Sequence, residues 1–277
     1  MEDKSIREAV RERFGTTAKQ AGSCCSAKKS YHLDADSIEA VSKIAGYSDQ
    51  DLKSIPDGAN LGLGCGNPVA LAAIKEGDVV LDLGSGAGVD CFLAANIVGD
   101  KGRVIGVDMT PEMIEKAREN AKKGNRRNVE FRLGEIENLP VESNSVDAVI
   151  SNCVINLSTD KHKVFREVYR VLKPGGKLMV SDMVLLKDLP GSLHDSIDAY
   201  VVCVAGAMRK DDYIGAIKGA GFQDVTIVSE SHFPAELIAS QPVVKEAVDK
   251  LNISMDELQD IGRSVVSMKI SARKAVL

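Results

Sequence analysis

From Gly77 onward the chain alternates short β-branched runs with longer stretches of helical periodicity, and that rhythm constrains its fold more than any other feature. Apolar strands separated by helix-length segments form βαβ units, because parallel strands need a crossover and the crossover helices then cover both faces of the sheet. The runs Val79–Leu83, Arg103–Val107, Val129–Leu133, Val146–Ser151 and Lys177–Ser181 read as five such strands. Between them Val89–Val98, Pro111–Lys123 and Lys161–Leu172 read as helices, the second opened by Thr110 as N-cap with Pro111 at N1. A turn at Lys173–Gly176 precedes the fifth strand. Beyond Asp182 the rhythm loosens. The pattern predicts a helix over Ser192–Ala207 carrying Cys203, a helix over Asp211–Gly219, a strand over Phe222–Val228, helical segments between Gln241 and Ile261, and a last strand over Ser264–Ala272. The fold class is therefore α/β, a doubly wound sheet. Residues 1–71 lack the alternation, apart from helical spacing at Asp36–Ala45, and are expected to form an N-terminal cap over the ligand edge of the sheet; residues 72–277 form the main domain, with a helical insertion near 240–262.

With 35 Lys+Arg against 40 Asp+Glu and no long basic run, the chain offers neither a nucleic-acid stripe nor a polybasic membrane patch. It has no Trp and few aromatics, which argues against a base-stacking platform. The longest uncharged stretch, residues 59–74, is broken by Gly, Asn and Pro, and the opening MEDKSIREAVRERFG has no apolar segment, so no membrane span or export signal is expected. That places the chain in the cytoplasm, where its six Cys stay as thiols. The four histidines, His32, His162, His194 and His232, share no metal-ligand spacing. Lys4, Arg7, Glu8, Arg11 and Glu12 read as the solvated face of a helix.

The segment VVLDLGSGAG puts Gly84 and Gly86 directly after an apolar strand, where a missing Cβ lets backbone approach a ligand. A dinucleotide fingerprint wants a third Gly where Val89 stands, and Gly88 comes one step early. At the end of the second strand Asp108 can accept from both hydroxyls of a ribose, a task common to NAD enzymes and to S-adenosylmethionine (SAM) enzymes. The segments VVLDLGSGAG, VIGVD, LGEIENLP, SVDAVISN and VLKPGGKLMVSD resemble, in order, those of the class I SAM-dependent methyltransferases. The resemblance implies a Rossmann-like sheet of seven strands with the last antiparallel. It also implies that Asp82, Gly84, Ser85 and Gly86 surround the methionine part of SAM, that Asp108 holds the ribose, that Met109 packs on adenine, that Gly134, Glu135 and Ile136 border the adenine ring, and that Asn152 lines the methionine side.

Cys65, Cys153 and Cys203 lie far apart in the chain and fit no zinc spacing. A single Cys is usually a small buried hydrophobe, the reading given to Cys91. Cys153, however, follows the fourth strand at the sheet edge, and three thiolates meeting there would make a trigonal site for a soft, thiophilic centre. LGLGCGNP, GVDCF, SNCVINL and VLKPGGKL together resemble the arsenite methyltransferases. That resemblance implies trivalent arsenic held by Cys65, Cys153 and Cys203 as substrate-binding and catalytic thiolates, with Cys24 or Cys25 as a redox participant. The activity implied is SAM-dependent methylation of arsenite or its thiol conjugates, an arsenic detoxification, with no metal beyond arsenic itself. A thiol reductant such as thioredoxin or glutathione is then required as partner, while nucleic acid and membrane are not. A helix N-terminus beside Cys153 would lower the cost of its thiolate. Methylation of a small organic substrate such as a quinone, and a non-catalytic thiol-based metalloid-binding module, are the competing readings.

Overall fold

The computed structural model describes residues 3–20, 34–189, 193, 196–201, 203–232, 253 and 255–276. In chain order these form α1 (Asp3–Gln20), α2 (Ala35–Ala45), α3 (Asp49–Lys53), β1 (Val79–Leu83), α4 (Val89–Val98), β2 (Arg103–Asp108), α5 (Pro111–Lys123), β3 (Val129–Leu133), β4 (Val146–Asn152), α6 (Lys161–Val171), β5 (Leu172–Leu185), α7 (Ile197–Tyr200), α8 (Lys210–Gly219), β6 (Gln223–His232), α9 (Met255–Ser264) and β7 (Val265–Arg273). The strands make one seven-stranded sheet in the order β3-β2-β1-β4-β5-β7-β6. β7 runs antiparallel to both its neighbours, and the other pairings are parallel. Chain order reverses between β1 and β4, so the ligand crevice opens at the carboxyl ends of these two strands. No described helix is long and apolar enough to cross a membrane.

Strand alternation builds the two layers. Leu81, Leu83 and Val107 face α6 and α8, where Phe165 and Tyr213 pack edge to face. Val80 and Val104 face Phe92 of α4 and Ile114 of α5 on the other side. α4 is apolar almost all round because its outer side is covered too, by Ala45, Tyr47 and Ala59 from the N-terminal segment.

Four expectations change. The turn read at Lys173–Gly176 is absorbed into β5 as a register shift opposite Val146 and Ala148, with Gly175 at φ +78° supplying the kink. Thr110 sits at the N-cap of α5, but its side chain does not cap; Asp108 Oδ1 accepts from the Thr110 backbone N–H at 2.8 Å instead. α7 covers only Ile197–Tyr200, and the chain has left the helix before Cys203, whose φ is +63°. Finally, α1 keeps its charged face in solvent at Lys4, Glu8, Arg11 and Glu12, but it is not solvated all round. Its Ile6 and Val10 pack into the apolar cluster that holds Cys65, Cys153 and Cys203. Of the helical pattern at Gln241–Ile261, residues 241–252 and 254 lie outside the described residues.

Candidate active site

The glycine turn after β1 hangs from β2, with Gly84 and Ser85 donating their backbone N–H to Val107 O at 2.7 and 3.0 Å. Gly84 and Gly86 adopt φ +66° and +51°, a region open to glycine at little cost. A Cβ at Gly84 would strike Val154, whereas one at Gly86 would project into open space in the cleft. Asp108 ties turn to strand by accepting from Gly86 N at 3.0 Å and Thr110 N at 2.8 Å. Burial raises its pKa, and these two N–H groups act in the opposite sense.

Two further buried carboxylates border the same cleft. Asp82 accepts from the Cys91 thiol at 3.2 Å, and burial together with the charge of Asp90 pushes its pKa well above the usual carboxylate range. Asp90 is raised to about 6 by burial, with hydrogen bonds from Asn152 and Tyr47 pulling it down. Cys91, itself pushed up by burial, therefore remains a thiol donor to Asp82. The Ser85 hydroxyl is buried against the cleft without a hydrogen-bond partner. Three acids that resist ionisation, an unspent hydroxyl and a glycine face suit a cationic nucleoside ligand, whose charge would relieve the acids.

At the other end Met109 and Ile136 line the wall. Both Glu135 oxygens are engaged by α1, accepting from Arg7 and Arg11 at 2.8 Å each. Gly134 lies behind the wall, donating its N–H to Asp108 O at 3.0 Å. Asn152 lines the same cleft as Asp82 and Ser85, and its amide also engages the Cys65 segment, its Oδ1 accepting from Cys65 N at 3.0 Å and Gly66 N at 3.2 Å.

Cys65, Cys153 and Cys203 come together at one side of the cleft, all buried. Cys65 and Cys153 are joined as a disulfide with Cα atoms 5.8 Å apart, and the Cys203 thiol donates to Cys153 O at 3.2 Å. This differs from the expectation of three thiols, because the structure holds the pair in its oxidised form. No α-helix begins directly after Cys153 either. It sits at φ +56° before a three-residue 3-10 turn, Ile155–Leu157. Cys203 is pushed up to about 12 by burial and then by the charge of Asp182, with Arg13 and Lys161 pulling it down. The group is therefore held mainly as the thiol near neutral pH, and a soft ligand taking the sulfur would displace its proton. Cys24 and Cys25 lie outside the described residues.

Asp182 itself accepts from Met183 N, Asn156 Nδ2 and the Tyr213 hydroxyl, and burial raises it to about 7. A carboxyl raised in the folded state keeps a proton that the unfolded chain has released, so its contribution to stability is whole below about pH 4 and declines as pH climbs toward 7. The substitution Asp182→Asn should therefore raise Tm more at pH 8 than at pH 5. It should also speed alkylation of Cys203 several-fold by removing the charge that opposes its thiolate. An equal Tm shift at both pH values, with unchanged alkylation, would contradict this account.

Tyr47 and Asp90 escape the sequence reading. Asp90 stands inside the quoted GVDCF, but nothing near Tyr47 marks it.

A doubly wound seven-stranded sheet with an antiparallel last strand, a glycine turn at the switch point and an acid closing β2 define a class I SAM-dependent methyltransferase. A family model described as a methyltransferase domain matches residues 74–232. An arsenite methyltransferase of Halobacterium salinarum is 46% identical over 98% of this chain and 67% of its own length. That of Aquipseudomonas alcaligenes is 41% identical over 60% of this chain and 50% of its own length. The crystal structure of an arsenic(III) S-adenosylmethionine methyltransferase from Chlamydomonas reinhardtii superposes with a TM-score of 0.62 at 35% identity, covering 87% of this chain and 74% of that one. The chain belongs to the arsenite methyltransferase family, and its cofactor is S-adenosylmethionine.

Proposed function

We propose that the chain methylates trivalent arsenic, arsenite or its thiol conjugates, held by Cys65, Cys153 and Cys203, with SAM as methyl donor. The observation that carries this reading is the convergence of three cysteines from distant segments beside the glycine-turn cleft. In this reading Asp82, Ser85 and Gly86 hold the methionine part, Gly84 keeps the turn flush with Val154, Asp108 takes the ribose hydroxyls, and Met109 and Ile136 flank adenine. Glu135 closes the adenine end together with Arg7 and Arg11. SAM, when bound, would supply an electrophilic methyl carbon whose bond to the sulfonium sulfur breaks as the bond to arsenic forms, with neutral S-adenosylhomocysteine as the leaving group. No general base is needed, since the attacking atom carries no proton. The protein supplies alignment, worth up to about 7–11 kcal/mol where the reacting atoms are held at near-attack distance. Burial by α1 excludes water from the sulfurs.

The Cys65–Cys153 bond must open before arsenic enters, and this takes two electrons and two protons from a thiol reductant of the thioredoxin or glutathione kind. Cys24 or Cys25 is the chain's own candidate for relaying them. A reducing cytoplasm is the setting this chemistry requires. Residues 1–71 serve as the cap that carries Cys65, and 72–277 as the cofactor domain. Incubation with SAM, arsenite and a thiol, followed by speciation of the arsenic, should yield methylated arsenicals. Stoichiometric arsenite binding with no methylated product would instead mean a sequestering module, and transfer only to an organic acceptor such as a quinone would make the cysteines incidental.

A further inference from the structure

Asn152 occupies a junction that cofactor binding does not explain. Its Oδ1 receives the backbone N–H of both Cys65 and Gly66, and its Nδ2 returns a bond to Gly66 O at 2.7 Å. The same Nδ2 contacts the Tyr47 hydroxyl at 2.8 Å and Asp90 Oδ2 at 3.0 Å, while Tyr47 donates to Asp90 Oδ1 at 2.8 Å. Tyr47, Asp90 and the backbone of the Gly64–Gly66 segment thus form a closed ring around one amide. The two glycines beside Cys65 fit that ring. A Cβ at Gly64 would come within 2.6 Å of Asn152 Nδ2, and one at Gly66 within 1.9 Å of Ser181 Oγ, so the segment lies flush on the ends of β4 and β5. Ser267 of β7 adds a bond to Cys65 O at 2.9 Å. Cys153 is the residue immediately after Asn152. One position therefore sets both sulfurs, Cys153 through the backbone and Cys65 through the side chain.

The consequence appears when the disulfide is opened. The covalent tie between Cys65 and Cys153 is then gone, and a loop cysteine would drift from its partner unless something else held it. We propose that Asn152, anchored by Tyr47 and Asp90, is the positioning residue that keeps the Cys65 thiol beside Cys153 in the reduced protein, and so presents arsenic with a preformed dithiol. This rests on the arsenic reading for its purpose but not for its test.

Proximity of two thiols is read directly by their equilibrium with a glutathione redox buffer, in which the dithiol and one oxidised glutathione give the disulfide and two reduced glutathiones. The reporter is full-length protein, with the oxidised fraction followed by mass mapping of the Cys65 and Cys153 peptides and no arsenic or SAM present. Asn152→Ala should lower the disulfide-forming equilibrium constant at least about tenfold, and Tyr47→Phe, which removes one hydroxyl, by a smaller factor in the same direction. The KM for arsenite should rise in step, while the Kd for SAM changes less than about threefold. Should Asn152→Ala leave the thiol equilibrium within about twofold of the parent and weaken SAM instead, the side chain is a cofactor ligand and the proposal fails. An unchanged equilibrium in a folded Tyr47→Phe protein would overturn the anchoring role of Tyr47. If the parent makes no methylated arsenic, the function is wrong, yet the glutathione equilibrium still decides whether Asn152 positions Cys65.

Discussion

Cys203→Ser should abolish transfer of methyl to arsenic, a loss on the order of 10³-fold or more, while SAM still binds with its parent affinity. The substitution is nearly isosteric, and a serine hydroxyl can keep the bond that the thiol now makes to Cys153 O. The fold and the cleft should survive it. What is lost is the soft donor, because a neutral hydroxyl is a hard and weak ligand for a thiophilic centre. Arsenic left on two sulfurs would be free to tilt, and a lone pair turned away from the methyl carbon gains nothing from proximity. Cys153→Ser should be equally inactive and in addition cannot form the disulfide with Cys65. Calorimetric SAM titration and arsenic speciation on the same preparations separate the two effects. Undiminished turnover in either variant would remove the cysteines from the chemistry.

The second large effect is expected at Asp108. Its carboxylate ends β2, is pinned by the Gly86 and Thr110 N–H groups, and faces the cleft where a ribose would present two hydroxyls. Hydrogen bonds to a charged acceptor are worth about 1.5–3 kcal/mol each. Asp108→Ala removes those to the sugar and also frees the glycine turn, so SAM affinity should fall roughly 10²- to 10³-fold. Exchange of Cys65 and Cys153 with glutathione should stay close to the parent, because Asp108 makes no contact with the Asn152 ring. Calorimetry with SAM reads the first effect, and a loss smaller than about threefold would mean the ribose is held elsewhere.

Much of the scaffold was legible because it is encoded locally. The apolar runs at Val79–Leu83 and Val129–Leu133 and the helices at Val89–Val98 and Pro111–Lys123 coincide with their elements, since hydrophobic period and a proline at the first helical position depend on near neighbours in the chain. The glycine turn and Asp108 were legible for the same reason, being short spacings at a strand end. Where the period weakened, the reading slipped. Ser192–Ala207 promised one long helix, and α7 is a single turn that ends before Cys203.

Side-chain commitments were another matter. The charges of α1 look solvated in sequence, and only the fold brings Glu135 to Arg7 and Arg11. Cys65 and Cys153, separated by 88 residues, give no sign in sequence of being bonded. The amide of Asn152 reads as an ordinary cleft residue until the Gly64–Gly66 segment is laid across it. Order along the chain by itself determined the βαβ scaffold and the nucleoside turn, because these follow from residue type and short-range period, whereas the soft-ligand chemistry was implied only by the resemblance of the cysteine segments to the arsenite methyltransferases. Only tertiary packing decided which sulfurs meet, which are protonated and what holds them, because burial and distance exist only once remote segments share one enclosed, low-dielectric space.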